Sequence, residues 1–141
     1  MADRILPTFR LMFACDEAVI DLGDAKWVLK HPWSVVRLPA GASFPFRHEE
    51  LWVYAQLTDG VGVFDLAAEL CQVMDNGTRR WVGTTGTTRI EFPGGQQLLA
   101  FDMAFRLKKA PFRGPGIYEF RMVAEGELLP GMTAEIRVFE R

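Results

Sequence analysis

The sequence predicts an all-β protein, a single antiparallel β-sandwich of seven to eight strands with immunoglobulin-like or C2-like architecture. Three observations carry that prediction. Apolar and polar residues alternate with period two along most of the chain, turns rich in Gly, Pro, Asn and Asp interrupt the alternation at short intervals, and no long amphipathic helical pattern appears. With 141 residues, 49% of them hydrophobic and 24% charged, the chain is expected to form one domain over 1–141 that buries a core without metals or disulfides. Residues 1–6 precede the first alternating run and are expected to be flexible.

In the first strand, Phe9, Leu11, Phe13 and Cys15 are expected on one face, with Arg10, Met12 and Ala14 on the other. Asp16 and Glu17 then begin a turn, their carboxylates accepting bonds from nearby backbone N–H groups. Residues 26–30 form a second strand, continued after a bend by 33–38. Pro32 cannot donate to a ladder, so it marks a bulge, an edge or a strand switch. Residues 51–57, LWVYAQL, are rich in aromatic and β-branched types. They end at Asp59-Gly60, a hairpin signal with a return strand from Val61.

The stretch FDLAAELCQVMDNG fits two patterns. Leu66, Leu70, Val73 and Met74 follow helical spacing, with Asp65 as a cap and Gly77 as a stop. Phe64, Leu66, Ala68 and Leu70 equally share one face of a strand. Asn76-Gly77-Thr78 reads as a turn, and WVGTTGTTR at 81–89 as exposed hairpin. Two further strands follow at 89–92 and 98–107, the second with Leu99, Phe101, Met103, Phe105 and Leu107 on one face and Asp102 and Arg106 on the other. Gly114, Pro115 and Gly116 turn the chain into a strand that buries Tyr118, Phe120 and Met122. Glu125-Gly126-Glu127 returns it as a hairpin to 133–139, where Ala134, Ile136 and Val138 point inward.

This order of signals resembles an uncharacterised bacterial family of short single-domain β-sandwich proteins, a domain of unknown function. The matching stretches are FRLMFACDEAV, SFPFRHEELWVYAQLTDGVGVFDLAAEL and PGIYEFRMVAEGELL, and the resemblance covers most of residues 7–140. The chain departs from the family at Ala124-Glu125-Gly126, where Asp-Gly is commoner, and at KHPWSVV, where a Gly-containing connection is usual. The resemblance implies a strand over 61–73. It implies no catalytic, cofactor-binding or metal-binding residue.

Composition narrows the function classes. Sixteen Lys and Arg nearly balance 18 Asp and Glu, for a net charge of −2, so neither nucleic acid nor membrane is expected as a partner. No window approaches the roughly 20 apolar residues of a membrane span, and Arg10 interrupts the apolar part of the opening stretch. A cytoplasmic location is expected. Cys15 and Cys71 lie in apolar runs outside any CxxC spacing and read as buried small hydrophobes.

No chemical constellation survives inspection. His31 and His48 are the only histidines, and in RHEE His48 shares a strand face with Glu50 but not Glu49, too few ligands for a metal. Ser34 or Ser43 with either histidine lacks a nucleophile-elbow sequence. WVGTTGTTR lacks the Lys of a phosphate loop. No cofactor and no catalytic or metal residue is expected.

The tryptophans carry more. On strand 51–57, one phase buries Leu51, Val53 and Ala55 and turns Trp52, Tyr54 and Gln56 outward as an aromatic stripe. The other buries Trp52 and Tyr54 and exposes the aliphatics. Trp52, Tyr54, Phe139, Trp33 and Trp81 form the candidate interaction surface. The function expected is a non-enzymatic binding or assembly module for an unidentified protein partner or for itself. The alternative is a small-molecule or carbohydrate-binding domain using exposed tryptophans, and an enzyme is third.

Overall fold

Alternation of this kind buries one face of each strand, and two such sheets bury their apolar faces against each other. The computed structural model describes residues 4–21, 23, 26–33, 35–92 and 100–140, with backbone only for 31–33. Ten strands appear among them: β1 (Thr8–Asp21), β2 (Lys26–Trp33), β3 (Val35–Arg37), β4 (Phe46–Thr58), β5 (Gly62–Val73), β6 (Arg79–Thr84), β7 (Thr88–Phe92), β8 (Ala100–Phe112), β9 (Gly116–Ala124) and β10 (Glu127–Phe139). One sheet runs β2-β1-β4-β8. The other runs β3-β10-β9-β5-β6, with β7 also on β5. All pairings are antiparallel except β3 with β10. The fold is therefore all-β in two sheets, with more strands than the seven or eight expected. The surplus comes from β3, expected as a continuation of the second strand, and from β6, expected as part of an exposed turn region.

The core lies between the sheets. Leu51, Val53, Ala55 and Leu57 of β4 face Phe64, Leu66, Ala68 and Leu70 of β5, joined by Met103, Phe105 and Leu107 of β8 and by Tyr118, Phe120 and Met122 of β9. Each fully buried large side chain contributes about 1.5–3 kcal/mol relative to exposure. Tyr118 closes the connection from β8 to β9. Its hydroxyl donates to the Gly114 carbonyl at 2.8 Å and accepts from Gly114 N–H at 3.3 Å, while its ring meets Phe112 edge-on at 4.9 Å. The 61–73 segment is a strand, as the resemblance implies. The β9–β10 hairpin turns at Glu125-Gly126, both at positive φ.

Four local expectations are corrected. Asp59-Gly60 does not close a hairpin, because β4 pairs with β1 and β8 while β5 pairs with β6, β7 and β9. Each strand buries four apolar residues on one face, so the chain crosses from one sheet to the other to set them opposite. Asp16 and Glu17 lie inside β1, where Glu17 reaches Lys30 at 3.7 Å. A β-bulge between Phe9 and Leu11 inserts Arg10 and inverts the phase of β1. Phe9 still packs on the core, but Met12 and Ala14 follow it inward while Leu11 and Phe13 go to the outer face. Residues 81–89 form no hairpin, since β6 and β7 each pair with β5.

Pro32 stands where the chain changes sheets: β2 ends at Trp33 in the four-stranded sheet and β3 begins at Val35 in the other. Residues 1–3, Ser34, Leu98, Leu99 and the side chains of His31 and Trp33 lie outside the described residues. Ile5 is bridged to Val61 by two backbone hydrogen bonds of 2.9 Å. No helix among the described residues is long and apolar enough to cross a membrane.

Candidate interaction faces

The phase of β4 decides where its aromatic residues go. Leu51, Val53, Ala55 and Leu57 are inward and fully buried, so Trp52, Tyr54 and Gln56 project from the outer face of the four-stranded sheet. Antiparallel register sets Phe13 beside Tyr54 and Cys15 beside Trp52 on one flank, with Ala104 and Arg106 on the other. The Phe13 ring lies 5.4 Å from Tyr54, and Trp27 meets Tyr54 edge-on at 6.4 Å. These rings cover Tyr54, which is 5% exposed. Burial, and then the nearby Asp102 carboxylate, push the Tyr54 hydroxyl up to about 12.

Polar groups frame this aromatic centre. Trp52 Nε1 donates to Glu50 Oε1 at 2.8 Å, and the Arg106 guanidinium sits 5.7 Å above the Trp52 ring and 3.7 Å from Glu50 Oε1. Gln56 Nε2 donates to Asp102 Oδ1 at 2.7 Å. Leu11 stays 46% exposed at the margin. An open concavity of ≈ 470 Å³ beside Trp52 is lined by Gly86, Thr87, Thr88, Ala104 and Arg106.

The outer face of the six-stranded sheet is ionic at its centre. Arg121 donates to Glu69 Oε1 from two nitrogens at 3.0 and 2.7 Å, Arg79 pairs with Glu119, and Asp65 pairs with Arg89. Arg89 and then Arg4 hold the Asp65 carboxyl below the usual range, and Arg4 does the same for Glu125. Toward one end the face turns apolar, with Val35, Ile117 and Phe139 exposed and the Arg37 guanidinium 5.1 Å from the Phe139 ring.

The candidate residues therefore fall on two faces. Trp52 and Tyr54 are neighbours on the four-stranded sheet. Phe139 and Trp81 share the other face, three strands apart in the sheet order. Trp81 is 57% exposed, its indole N–H bonded to Thr84 Oγ1 at 2.9 Å. Trp33 reaches the end of β2 opposite Ala14, its side chain outside the described residues. Tyr54 is corrected from an exposed to a covered position, because Phe13 and Trp27 pack over it. Sequence reasoning missed Phe13, Trp27, Glu50, Asp102 and Arg106 as companions of Trp52. The bulge concealed Phe13, and the period-two placement of Asp102 and Arg106 on the polar face of β8 was the available signal for those two.

Other chemistry is sparse. His48 meets the Phe112 ring edge-on at 6.5 Å. Among the described residues no group of three or more His, Cys, Asp and Glu is arranged to hold a metal. Both cysteines are free and buried. Burial, seconded by Asp16, pushes the Cys15 thiol up to about 11, and burial does the same for Cys71, whose thiol donates to Glu69 Oε1 at 3.4 Å. Neither is a thiolate near neutral pH.

No curated protein matches the chain. Among solved structures, one similar to it is the Pseudomonas fluorescens alkylpurine DNA glycosylase AlkC bound to DNA containing an abasic site analog, at 12% identity and a TM-score of 0.47. That likeness covers 75% of this chain and 27% of the glycosylase. The exclusion of nucleic acid as a partner is corrected by the presence of a DNA-bound protein among these structures. Its premise was also physically weak, since a net charge sums over the whole surface while binding depends on local clusters such as Lys108, Lys109 and Arg113. At that TM-score the likeness carries no argument for what this chain binds. The sequence itself matches the family of unknown function DUF6941 over residues 10–138, and the chain belongs to that family.

Proposed function

We propose that the chain is a non-enzymatic β-sandwich module that docks a polypeptide partner on the outer face of its four-stranded sheet. The observation that carries this reading is the outward Trp52 beside the packed rings of Phe13, Trp27 and the covered Tyr54, rimmed by the Glu50–Arg106 and Gln56–Asp102 pairs. Interfaces concentrate binding energy in Trp, Tyr and Arg side chains that are already held in place, with polar groups around them. Here those side chains are fixed before binding, so little rotamer entropy remains to be lost. The finer architecture proposed is immunoglobulin-like, supported by the bond of the Tyr118 hydroxyl back to Gly114 at the entry to β9.

Native mass spectrometry of the protein purified gently from its own host tests the reading, comparing the unaltered chain with Leu11→Glu. Leu11 is exposed on the face, so the substitution leaves the core intact. The expected result is an added polypeptide mass on the unaltered chain that Leu11→Glu loses. A bare chain in both, or a partner retained by Leu11→Glu, refutes the proposal.

A further inference from the structure

β5 and β9 stay in register as far as Val73 opposite Ile117 and then diverge, β5 into the turn at 74–78 and β9 back into the 113–115 connection. Their divergence opens a concavity of ≈ 510 Å³ at that end of the six-stranded sheet, within the size range of small-ligand sites. Residues 72–75 wall one side and 115–117 the other, all of them described. Both walls are held without a ligand. Met74 N–H donates to the Thr78 carbonyl at 2.8 Å, Gly77 N–H donates to the Met74 carbonyl at 2.9 Å, and the Tyr118 hydroxyl holds Gly114 on the other side.

One polar group in this concavity is left over. Gln72 lies opposite the buried Tyr118 and is 8% exposed. Arg80 Nη2 donates to its Oε1. A guanidinium only donates, so this bond fixes which way the carboxamide lies and turns Nε2 toward the concavity. Among the described residues Nε2 donates to no protein acceptor, and a largely buried donor in that position is costly until something accepts its bond. Gly116 keeps the amide open: at φ 139° its backbone favours glycine, and a Cβ there would stand 3.7 Å from Gln72 Nε2. Arg80 meets the carbonyl side of the amide and does not line the concavity.

The rest of the lining defines what can accept that bond. Val73, Met74, Pro115 and Ile117 give aliphatic walls. Asp75 is exposed, in no ion pair among the described residues, and sets a carboxylate on the rim. The floor amide calls for a carbonyl oxygen, the walls for an aliphatic chain and the rim for a positive end, whereas an anionic ligand is repelled by Asp75.

We propose that this concavity binds a carbonyl-bearing ligand whose aliphatic chain ends in a cation, the chemistry of a lysyl residue. Gln72 Nε2 donates to the carbonyl, Met74 and Ile117 cover the chain, and Asp75 receives the ammonium. The site lies on the other sheet from the docking face, shares no residue with it and stands or falls separately.

The test is heteronuclear NMR on the isotope-labelled full chain, titrated with Nα-acetyl-lysine N-methylamide. The expected result is a saturable shift of the Gln72 side-chain amide signals, together with the Gly116 and Ile117 backbone amides, at millimolar affinity. The uncharged norleucine analogue binds about threefold more weakly, and the glutamate analogue more weakly still. Asp75→Lys alters only an exposed side chain and reverses the order of lysine and glutamate. Gln72→Glu keeps the shape and the Arg80 partner but has no N–H to give, so binding of the norleucine analogue, read at Gly116 and Ile117, falls by about tenfold or more. No saturable shift at Gln72 with the lysine derivative, an order unchanged by Asp75→Lys, or norleucine binding undiminished by Gln72→Glu overturns the proposal. A Gly-Ser-Lys-Ser-Gly peptide separates the sources of this chemistry. Tighter binding than the blocked amino acid marks a polypeptide, and equal or weaker binding marks a free small molecule.

Discussion

Removing only the hydroxyl of Tyr118 tests how the β8–β9 connection is held. The Tyr118→Phe ring stays fully buried and keeps its edge-on contact with Phe112, so no cavity opens and the loss is confined to hydrogen bonding. The bond donated to the Gly114 carbonyl is well formed at 2.8 Å, and the one accepted from Gly114 N–H is long at 3.3 Å. One good neutral hydrogen bond contributes about 1 kcal/mol net, and stranding its half-buried partner adds a fraction of the penalty for a fully buried group. The expected loss is about 1–2 kcal/mol. With an unfolding entropy of about 0.3 kcal/mol/K for a chain of this size, the midpoint falls about 3–7 °C. Urea unfolding followed by tryptophan fluorescence reads the change, with the m-value unaltered. A loss below about 0.5 kcal/mol shows that water replaces the phenol without cost and that the corner is held by packing alone.

Other perturbations read other parts of the fold. Phe120→Ala empties the middle of β9 and costs about 3–5 kcal/mol in a denaturant titration, and a loss below about 1 kcal/mol contradicts the assigned strand phase. Gly60→Ala drives a Cβ to 2.9 Å from Phe92 Cγ and 3.0 Å from Pro7 Cβ. It costs about 1–3 kcal/mol by thermal melting, and a neutral result means that Phe92 yields freely. The raised thiol values give a pH dependence of definite sign. Cys15 and Cys71 ionise near 9 when unfolded and near 11 when folded, so their contribution is complete below about pH 9 and is lost as pH rises toward 11, at up to about 1.4 kcal/mol per unit for each thiol. Urea titrations between about pH 8 and 10.5 show this decline, and Cys71→Ala makes it shallower. An identical slope in that variant assigns the decline elsewhere.

Legibility from sequence followed burial. β9, and the stretches 51–57 of β4, 101–107 of β8 and 133–139 of β10, alternate without interruption, so the inward placement of Met103, Phe105, Tyr118, Phe120, Ile136 and Val138 is readable directly. β1 alternates as cleanly, yet its phase was misread, because one inserted residue at Arg10 exchanges the two faces and leaves no trace in composition. The two phases of β4 could not be separated alone, since Trp52 and Tyr54 are as apolar as the residues behind them. The neighbours that cover Tyr54 come from β1 and β2, distant in sequence. The Asp59-Gly60 signal named a turn correctly but not which strands it joined. β6 escaped because Val82 is its one inward core side chain and Trp81, its largest residue, faces solvent.

The parallel pairing of β3 with β10 also bears on how the chain is made. Among the described residues, Val35, Val36 and Arg37 find their strand partners in Arg137, Val138 and Phe139. At ribosomal rates of about 5–20 residues per second, the roughly 100 residues between them take about 5–20 s to emerge. Throughout that interval β3 has no strand to pair with, although Val36 belongs to the core. The six-stranded sheet therefore closes at this edge only when the final strand arrives. Shortening β10 by a few residues would leave the nascent chain waiting indefinitely, with an apolar edge open to whatever chaperone or neighbour reaches it first.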